Sequence, residues 1–228
     1  MNRMSRYHLF YTDSGYQLTD PSNRRNPLII DFNSAALQYR RAQGGKRELL
    51  LKALDVQPGR RVVDCTAGLG VDSWLMAAAG CTVTLLERSP VLALMLGDAL
   101  QRGRQDPEIA AVAERMTLVA TDAAHWLATV PTTVPSAIDT VYIDQMFPHQ
   151  KKSAAVKGGM QVLQRFLGDD GAVLGLLQAA LATRCRRVVV KRPLTGGESE
   201  GLVPDYKLTA KASRFDIYLA QGLLSAKA

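Results

Sequence analysis

The sequence predicts an α/β protein: an open, doubly wound, mostly parallel sheet that ends in an antiparallel hairpin and is preceded by a small β and helical extension. Three observations carry this. From Arg60 onward short β-branched runs alternate with helix-like stretches, the pattern of parallel βαβ units. The last two strand-like segments, "YKLTAK" and "SRFDIYLAQ", have no helix between them, so they should pair antiparallel at one edge. The N-terminal residues follow neither rule and read as a separate β unit.

"RYHLFYTDSGYQL" sets two aromatic-rich stretches around Thr12-Asp13-Ser14-Gly15, the turn chemistry of a hairpin, and "PLIIDF" adds a short strand. From Ser34 to Leu54 scattered apolar residues among Arg, Lys and Gln suit helices packed by one face, interrupted at "QYRRAQGGKRE". "RVVDC" is the first strand of the sheet, "VDSWLMAAAG" a helix stopped by Gly80, and "CTVTLLE" the second strand. "PVLALMLGDALQRG" opens with Pro at a favourable first-turn position. "MTLVATD", "TVYID" and "RVVVKRP" are the next strands; "AAHWLATV", "GMQVLQRFLG" and "GAVLGLLQAALATR" are helical, and "PLTGGESEGLVPD" is a surface loop. The resulting division is residues 1–58 for the extension and residues 59–228 for the sheet domain.

A chain of 228 residues can bury one substantial core. No apolar run approaches the roughly 20 residues that span a bilayer, and "MNRMSRYHLFYTDSGYQ" lacks the apolar core of a secretion signal, so a cytoplasmic protein is expected. Cys65, Cys81 and Cys185 are odd in number, widely spaced and set in apolar surroundings, which suits reduced core thiols. The three histidines are scattered and no metal site emerges. A net charge of +7 and a pI of about 9.5 favour a polyanionic partner without choosing among nucleic acid, nucleotide and acidic membrane.

Ligands of such sheets sit beyond the carboxyl ends of the strands. After the first strand comes "DCTAGLGVD", Asp64 to Asp72, in which Gly68 and Gly70 let the backbone turn and approach a ligand. A dinucleotide fingerprint would continue to a third Gly or Ala, but Ser73 stands there. Asp72, at a helix start, would repel a pyrophosphate and suits a cationic or zwitterionic ligand such as S-adenosylmethionine. Glu87 ends the second strand 23 positions after Asp64, close to the roughly 20-residue spacing of an acid that binds ribose hydroxyls. Asp122 and Ala123, after the third strand, suit adenine, one through its carboxylate and the other through its backbone. Any one of these acids could instead simply cap the helix that follows.

The fourth strand ends in "DTVYIDQMFPH", a carboxylate followed by an aromatic. An exocyclic nucleobase amine is a poor nucleophile because its lone pair is delocalised into the ring. Acceptors around the amine turn that lone pair outward, and Asp144 with the backbone carbonyl of Gln145 are suitable acceptors, followed by Met146 and by Phe147 as a stacking face. Asp144, Gln145, Met146 and Phe147 are therefore the candidate catalytic residues.

"DCTAGLGVD", "LLERSP", "YIDQMFPHQKKSA", "VVVKRP" and "SRFDIYL" together resemble the bacterial ribosomal RNA small subunit methyltransferase J family. The resemblance implies a Rossmann-like methyltransferase that uses S-adenosylmethionine to make N2-methylguanosine in 16S ribosomal RNA. It implies cofactor contacts at Val71 and Asp72, Glu87 and Arg88, Asp122 and Ala123, and Asp144. Two departures stand out: Gln145 replaces the family's proline, keeping the carbonyl but losing the ring's rigidity, and Asp122 with Ala123 replace small hydroxyl residues.

Phosphate contacts are expected from Lys151, Lys152 and Lys157 beside the base platform, and from Arg40, Arg41, Lys46 and Arg47 of "YRRAQGGKR", with Lys191 and Arg192 after the fifth strand. The expected partner is 16S ribosomal RNA or the 30S subunit, with no metal and no membrane. Rival readings are an amino-methyltransferase for DNA adenine or cytosine or for a protein glutamine, an NAD(P)-dependent oxidoreductase, and an idle RNA-binding protein.

Overall fold

A computed structural model of the protein describes residues 7–20, 23–44, 48–131, 137–144, 173–194, 202–211 and 213–219. At the N-terminus β1 (His8–Thr12), β2 (Gly15–Asp20) and β3 (Asn23–Ile29) form an antiparallel sheet in that order, the hairpin turning at Thr12-Asp13-Ser14-Gly15 as its chemistry predicts. β3 begins before "PLII" and carries Pro27 inside it. That is tolerated because β3 is an edge strand and Pro27 falls in the irregular stretch between its Asn23 and Leu28 pairs with β2. Two helices follow, α1 (Ala35–Gly44) and α2 (Leu49–Ala53).

The main sheet is built from β4 (Arg61–Asp64), β5 (Thr82–Glu87), β6 (Met116–Ala120), β7 (Thr140–Ile143), β8 (Arg187–Pro193), β9 (Tyr206–Thr209) and β10 (Ser213–Leu219), in the spatial order β6-β5-β4-β7-β8-β10-β9. β4 pairs in parallel with β5 and with β7, and β7 with β8, whereas β10 runs antiparallel to β8 and to β9. The C-terminal hairpin thus closes one edge, as expected. Between the strands lie α3 (Val71–Ala78), α4 (Pro90–Gln105), α5 (Ala110–Ala113), α6 (Ala123–Ala128) and α7 (Val173–Ala182). The four residues of α5 make about one turn, too few for a helical period to register in the sequence. The expected helix at "GMQVLQRFLG" and most of the "PLTGGESEGLVPD" loop lie outside the described residues.

Strand alternation sorts the core onto two faces. Val62, Tyr142 and Val189 face α2, α3, α4 and the N-terminal sheet, while Val63, Val141, Ile143, Val188 and Val190 face α6 and α7. The N-terminal unit is anchored on the first face, where Phe32 stacks on Trp74 of α3 with ring centroids 4.8 Å apart and planes 9° from parallel. Such a pair adds roughly 0.5–1.5 kcal/mol to the burial of its area. Arg102 on α4 donates to the Ile30 carbonyl at 2.7 Å and to Asp98 at 2.9 Å, securing the same junction. Cys65, Cys81 and Cys185 are unpaired and buried. Among the described residues no helix is long and apolar enough to cross a membrane.

Candidate active site

The strand order reverses between β4 and β7, which opens a crevice at their carboxyl ends. The loop after β4 forms one wall. Gly68 (φ +54°) and Gly70 (φ +71°) both take the left-handed conformation, but for different reasons. A Cβ on Gly68 would meet nothing closer than the Thr66 carbonyl at 3.7 Å, so that stretch of backbone is open to a ligand. A Cβ on Gly70 would meet Phe32 and Leu96 at 2.9 Å, so this glycine serves packing.

Asp64 lies behind the loop and shapes it. Its carboxylate accepts from Ser73 Oγ at 2.5 Å and from the Thr66 N–H at 3.0 Å, and the residue is only 2% exposed. Burial pushes its carboxyl up to about 7, against the pull of those two bonds. Ser73, read in the sequence only as a break in the dinucleotide fingerprint, is the buried partner of Asp64. Glu87 spans from β5 to the loop, accepting from the N–H groups of Gly68 at 2.9 Å and Ser89 at 2.7 Å. Burial raises its carboxyl and these bonds oppose the rise. Asp122 caps α6 through the His125 N–H at 3.0 Å and remains exposed, with Ala123 buried behind it; Arg88 is exposed beside Glu87.

Two acids face each other across the crevice, joined by a lysine. Lys191 Nζ donates to Asp144 Oδ2 at 2.6 Å and to Asp72 Oδ2 at 3.2 Å. The Tyr142 hydroxyl donates to Asp72 at 2.8 Å, and the Arg40 guanidinium reaches Asp72 Oδ1 at 3.4 Å while also pairing with Glu48. Burial alone would raise the Asp72 carboxyl, but Lys191, Tyr142 and Arg40 outweigh it and hold that carboxyl below its ordinary value. Asp144 goes the other way: burial raises it and Lys191 only partly offsets the rise. Between two carboxylates the Lys191 ammonium is held above its ordinary value despite desolvation.

The structure therefore brings together Asp64, Gly68, Gly70, Val71, Asp72, Glu87 and Asp144, with Asp122 and Ala123 at the end of the next strand. It engages two of the cations expected on phosphates elsewhere: Lys191 on the site acids, and Arg192, 5% exposed, with Asp216 at 3.0 Å. Arg40 likewise has carboxylate partners, and Arg41 stands beside it on α1. Gln145, Met146, Phe147, Lys46, Arg47, Lys151, Lys152 and Lys157 lie outside the described residues. Sequence reading missed Thr66, Tyr142 and the inward role of Lys191. Period-two alternation carried a usable signal for the last two, because Tyr142 shares a strand face with Asp144, and Lys191 with Val189.

The acid at the first turn of α3 stands where a pyrophosphate would otherwise meet the helix N-terminus, which makes the crevice unsuited to that group. Among the described residues no group of three or more His, Cys, Asp and Glu is arranged to hold a metal ion.

A family model described as "Putative SAM-dependent methyltransferase" matches residues 1–220. The ribosomal RNA small subunit methyltransferase J of Pseudomonas aeruginosa is 44% identical over 200 residues, spanning 86% of this chain and 76% of that protein. The protein of the same name from Dechloromonas aromatica is also 44% identical over 200 residues, spanning 86% of this chain and 80% of that one. The crystal structure of a SAM-dependent methyltransferase from Neisseria gonorrhoeae is 34% identical, covers 97% of this chain and 86% of its own, and superposes with a TM-score of 0.75. These matches set aside the oxidoreductase reading. The chain is an S-adenosylmethionine-dependent enzyme and belongs to the SAM-dependent methyltransferases, within the ribosomal RNA small subunit methyltransferase J family.

Proposed function

We propose that the chain transfers the methyl group of S-adenosylmethionine to the exocyclic N2 of a guanine in 16S ribosomal RNA of the small subunit. The observation that supports it most is the pair of acids across the crevice, Asp72 beside the cofactor loop and Asp144 ending β7, with the Asp144 side chain 33% exposed to an incoming base. The relatives' name supplies the RNA.

Bound in the crevice, S-adenosylmethionine supplies a methyl group already activated on its sulfonium, so the reaction asks the protein for alignment, worth roughly 7–11 kcal/mol when complete. Asp144 accepts a hydrogen bond from the guanine amine, with the Gln145 carbonyl as second acceptor, so that the nitrogen lone pair is withdrawn from conjugation with the ring and made available to the methyl carbon. Phe147, following Met146, offers the face on which the base stacks. The proton released from N2 departs toward the Asp144 carboxylate, whose raised affinity for protons suits that role. Val71, Asp72, Glu87, Arg88, Asp122 and Ala123 hold the cofactor in this reading, with Asp64, Gly68 and Gly70 forming its loop.

The guanine leaves its stack to reach the methyl group, as in other base-modifying enzymes. Arg41, Lys46, Arg47, Lys151, Lys152 and Lys157 hold flanking phosphates. The same proposal includes a cytoplasmic enzyme acting on 16S RNA or the 30S particle, with residues 1–58 as an extension on a methyltransferase domain of residues 59–228. Labelled S-adenosylmethionine, offered 30S particles and naked 16S RNA from cells lacking the enzyme, should yield N2-methylguanosine that disappears in Asp144→Ala. Label in another nucleoside, or in protein, would overturn the guanine assignment.

A further inference from the structure

We propose that Lys191 is a positioning residue for methyl transfer: its ammonium clamps Asp72 and Asp144, so that the acid at the cofactor and the acid at the target amine keep one fixed arrangement. The inference rests on the reading above that Asp144 receives the amine.

The strand register puts the lysine there. β7 and β8 run parallel with Tyr142 opposite Val189 and Ile143 opposite Val190. One step further along the same ladder sets Asp144 beside Lys191, and alternation directs both toward the face on which α3 presents Asp72. The contacts follow, at 2.6 Å to Asp144 and 3.2 Å to Asp72. Arg192, one residue on, projects to the other face and is buried against Asp216. The sequence pair Lys191-Arg192 is therefore divided between two jobs, neither of which matches a surface phosphate clamp.

The chemistry explains why the site needs a cation here. Asp144 is faced by Lys191 from β8, Asp72 from α3, Asp64 from the end of β4 and Tyr142 from β7, while Arg40 of α1 reaches as far as Asp72. Three carboxylates this close discourage one another's ionisation, and without a cation at least one takes a proton. A protonated Asp144 can offer its proton where the guanine amine needs an acceptor. Because Lys191 holds Oδ2, the second carboxylate oxygen keeps a defined direction for the amine. Tyr142 on the same Oδ2 and Arg40 on Oδ1 also hold Asp72, so the clamp holds both acids rather than pulling Asp72 out of place.

The test compares Lys191→Met and Lys191→Arg with the unaltered enzyme, following methyl transfer to 16S RNA and 30S particles against pH. Lys191→Met should lower kcat at neutral pH by about 10²-fold, the scale of a misplaced reacting group, with KM for RNA little changed. The acid limb of its pH profile should move upward, and Lys191→Arg should restore the limb and much of the rate. A Lys191→Met enzyme with the original acid limb and kcat within about twofold, or with its loss confined to KM for RNA, would overturn the clamp and return Lys191 to phosphate binding. NMR of the unaltered protein provides a check that needs no variant to fold: the Lys191 Nζ resonance should shift together with the Asp144 carboxyl carbon through the carboxyl's own midpoint in acid, and a Lys191 signal that stays flat through that midpoint also overturns it. If the unaltered enzyme makes no N2-methylguanosine, the guanine reading fails while the shared titration still decides whether the pair exists.

Discussion

The main-chain N–H of Asp144 donates to Thr66 Oγ1 at 2.7 Å, and the same hydroxyl lies 3.4 Å from Asp64 Oδ1. One side chain thus joins the end of β7 to the loop after β4, across the point where the strand order reverses. Thr66→Val keeps the shape and removes the link. It should cost about 0.5–1.5 kcal/mol of stability and lower kcat by roughly 10–10²-fold, because a small displacement of the reacting geometry is costly. Thr66→Ser should recover most of both. Chemical denaturation and single-turnover methyl transfer measure the two effects separately.

Arg40 distinguishes two roles for the basic stretch of α1. Its guanidinium is engaged with Glu48 and Asp72, so Arg40→Gln should weaken S-adenosylhomocysteine binding several-fold and leave the salt dependence of RNA binding unchanged. A phosphate contact would instead reduce the slope of log K against log salt by about 0.7 for a single strand. Calorimetry with the cofactor product and RNA titrations at several salt concentrations check both.

The two loop glycines should fail differently when replaced by alanine. Gly70→Ala drives a Cβ into Phe32 and Leu96 and should cost about 1–3 kcal/mol from overpacking, in addition to its left-handed backbone. Gly68→Ala has room for the Cβ and should cost about 1 kcal/mol, mainly from its positive φ, while cofactor affinity falls because the new methyl projects into open backbone surface. Thermal melts with and without S-adenosylhomocysteine separate the two.

Asp64 predicts a pH dependence of stability. Its folded carboxyl is pushed from 3.8 up to about 7, so between those values the native state binds the proton more tightly than the unfolded chain. Stability from this group is present below its unfolded pKa and is lost as pH rises through the folded one. Relative to Asp64→Asn, which cannot ionise, the unaltered protein should lose stability between about pH 4 and pH 7 and level off above that. Urea unfolding at stepped pH measures the difference; a constant gap would contradict the assignment of burial as the dominant cause.

Residues at strand ends were the legible part of the site. Asp64, Glu87, Asp122 and Asp144 each follow a short β-branched run, and parallel strands deliver their C-terminal residues to one edge of the sheet whatever the connections between them. Their division of labour was not legible. Asp64 and Asp72 look alike in "DCTAGLGVD", yet one is a buried brace for Ser73 and Thr66 and the other lines the crevice, because that difference depends on how α3 packs against the sheet.

By itself the sequence determined the order of the described strands and of the longer helices among the described residues, the antiparallel C-terminal hairpin and the acids at the sheet's carboxyl edge, since all of these follow from local periodicity and from residues adjacent in the chain. Only the tertiary structure decided that Lys191 sits between Asp72 and Asp144, that Arg40 turns to Asp72, and that Gly70 answers to Phe32. Each of those depends on a register or a packing contact between segments far apart in sequence, and no local pattern encodes the distance across a sheet.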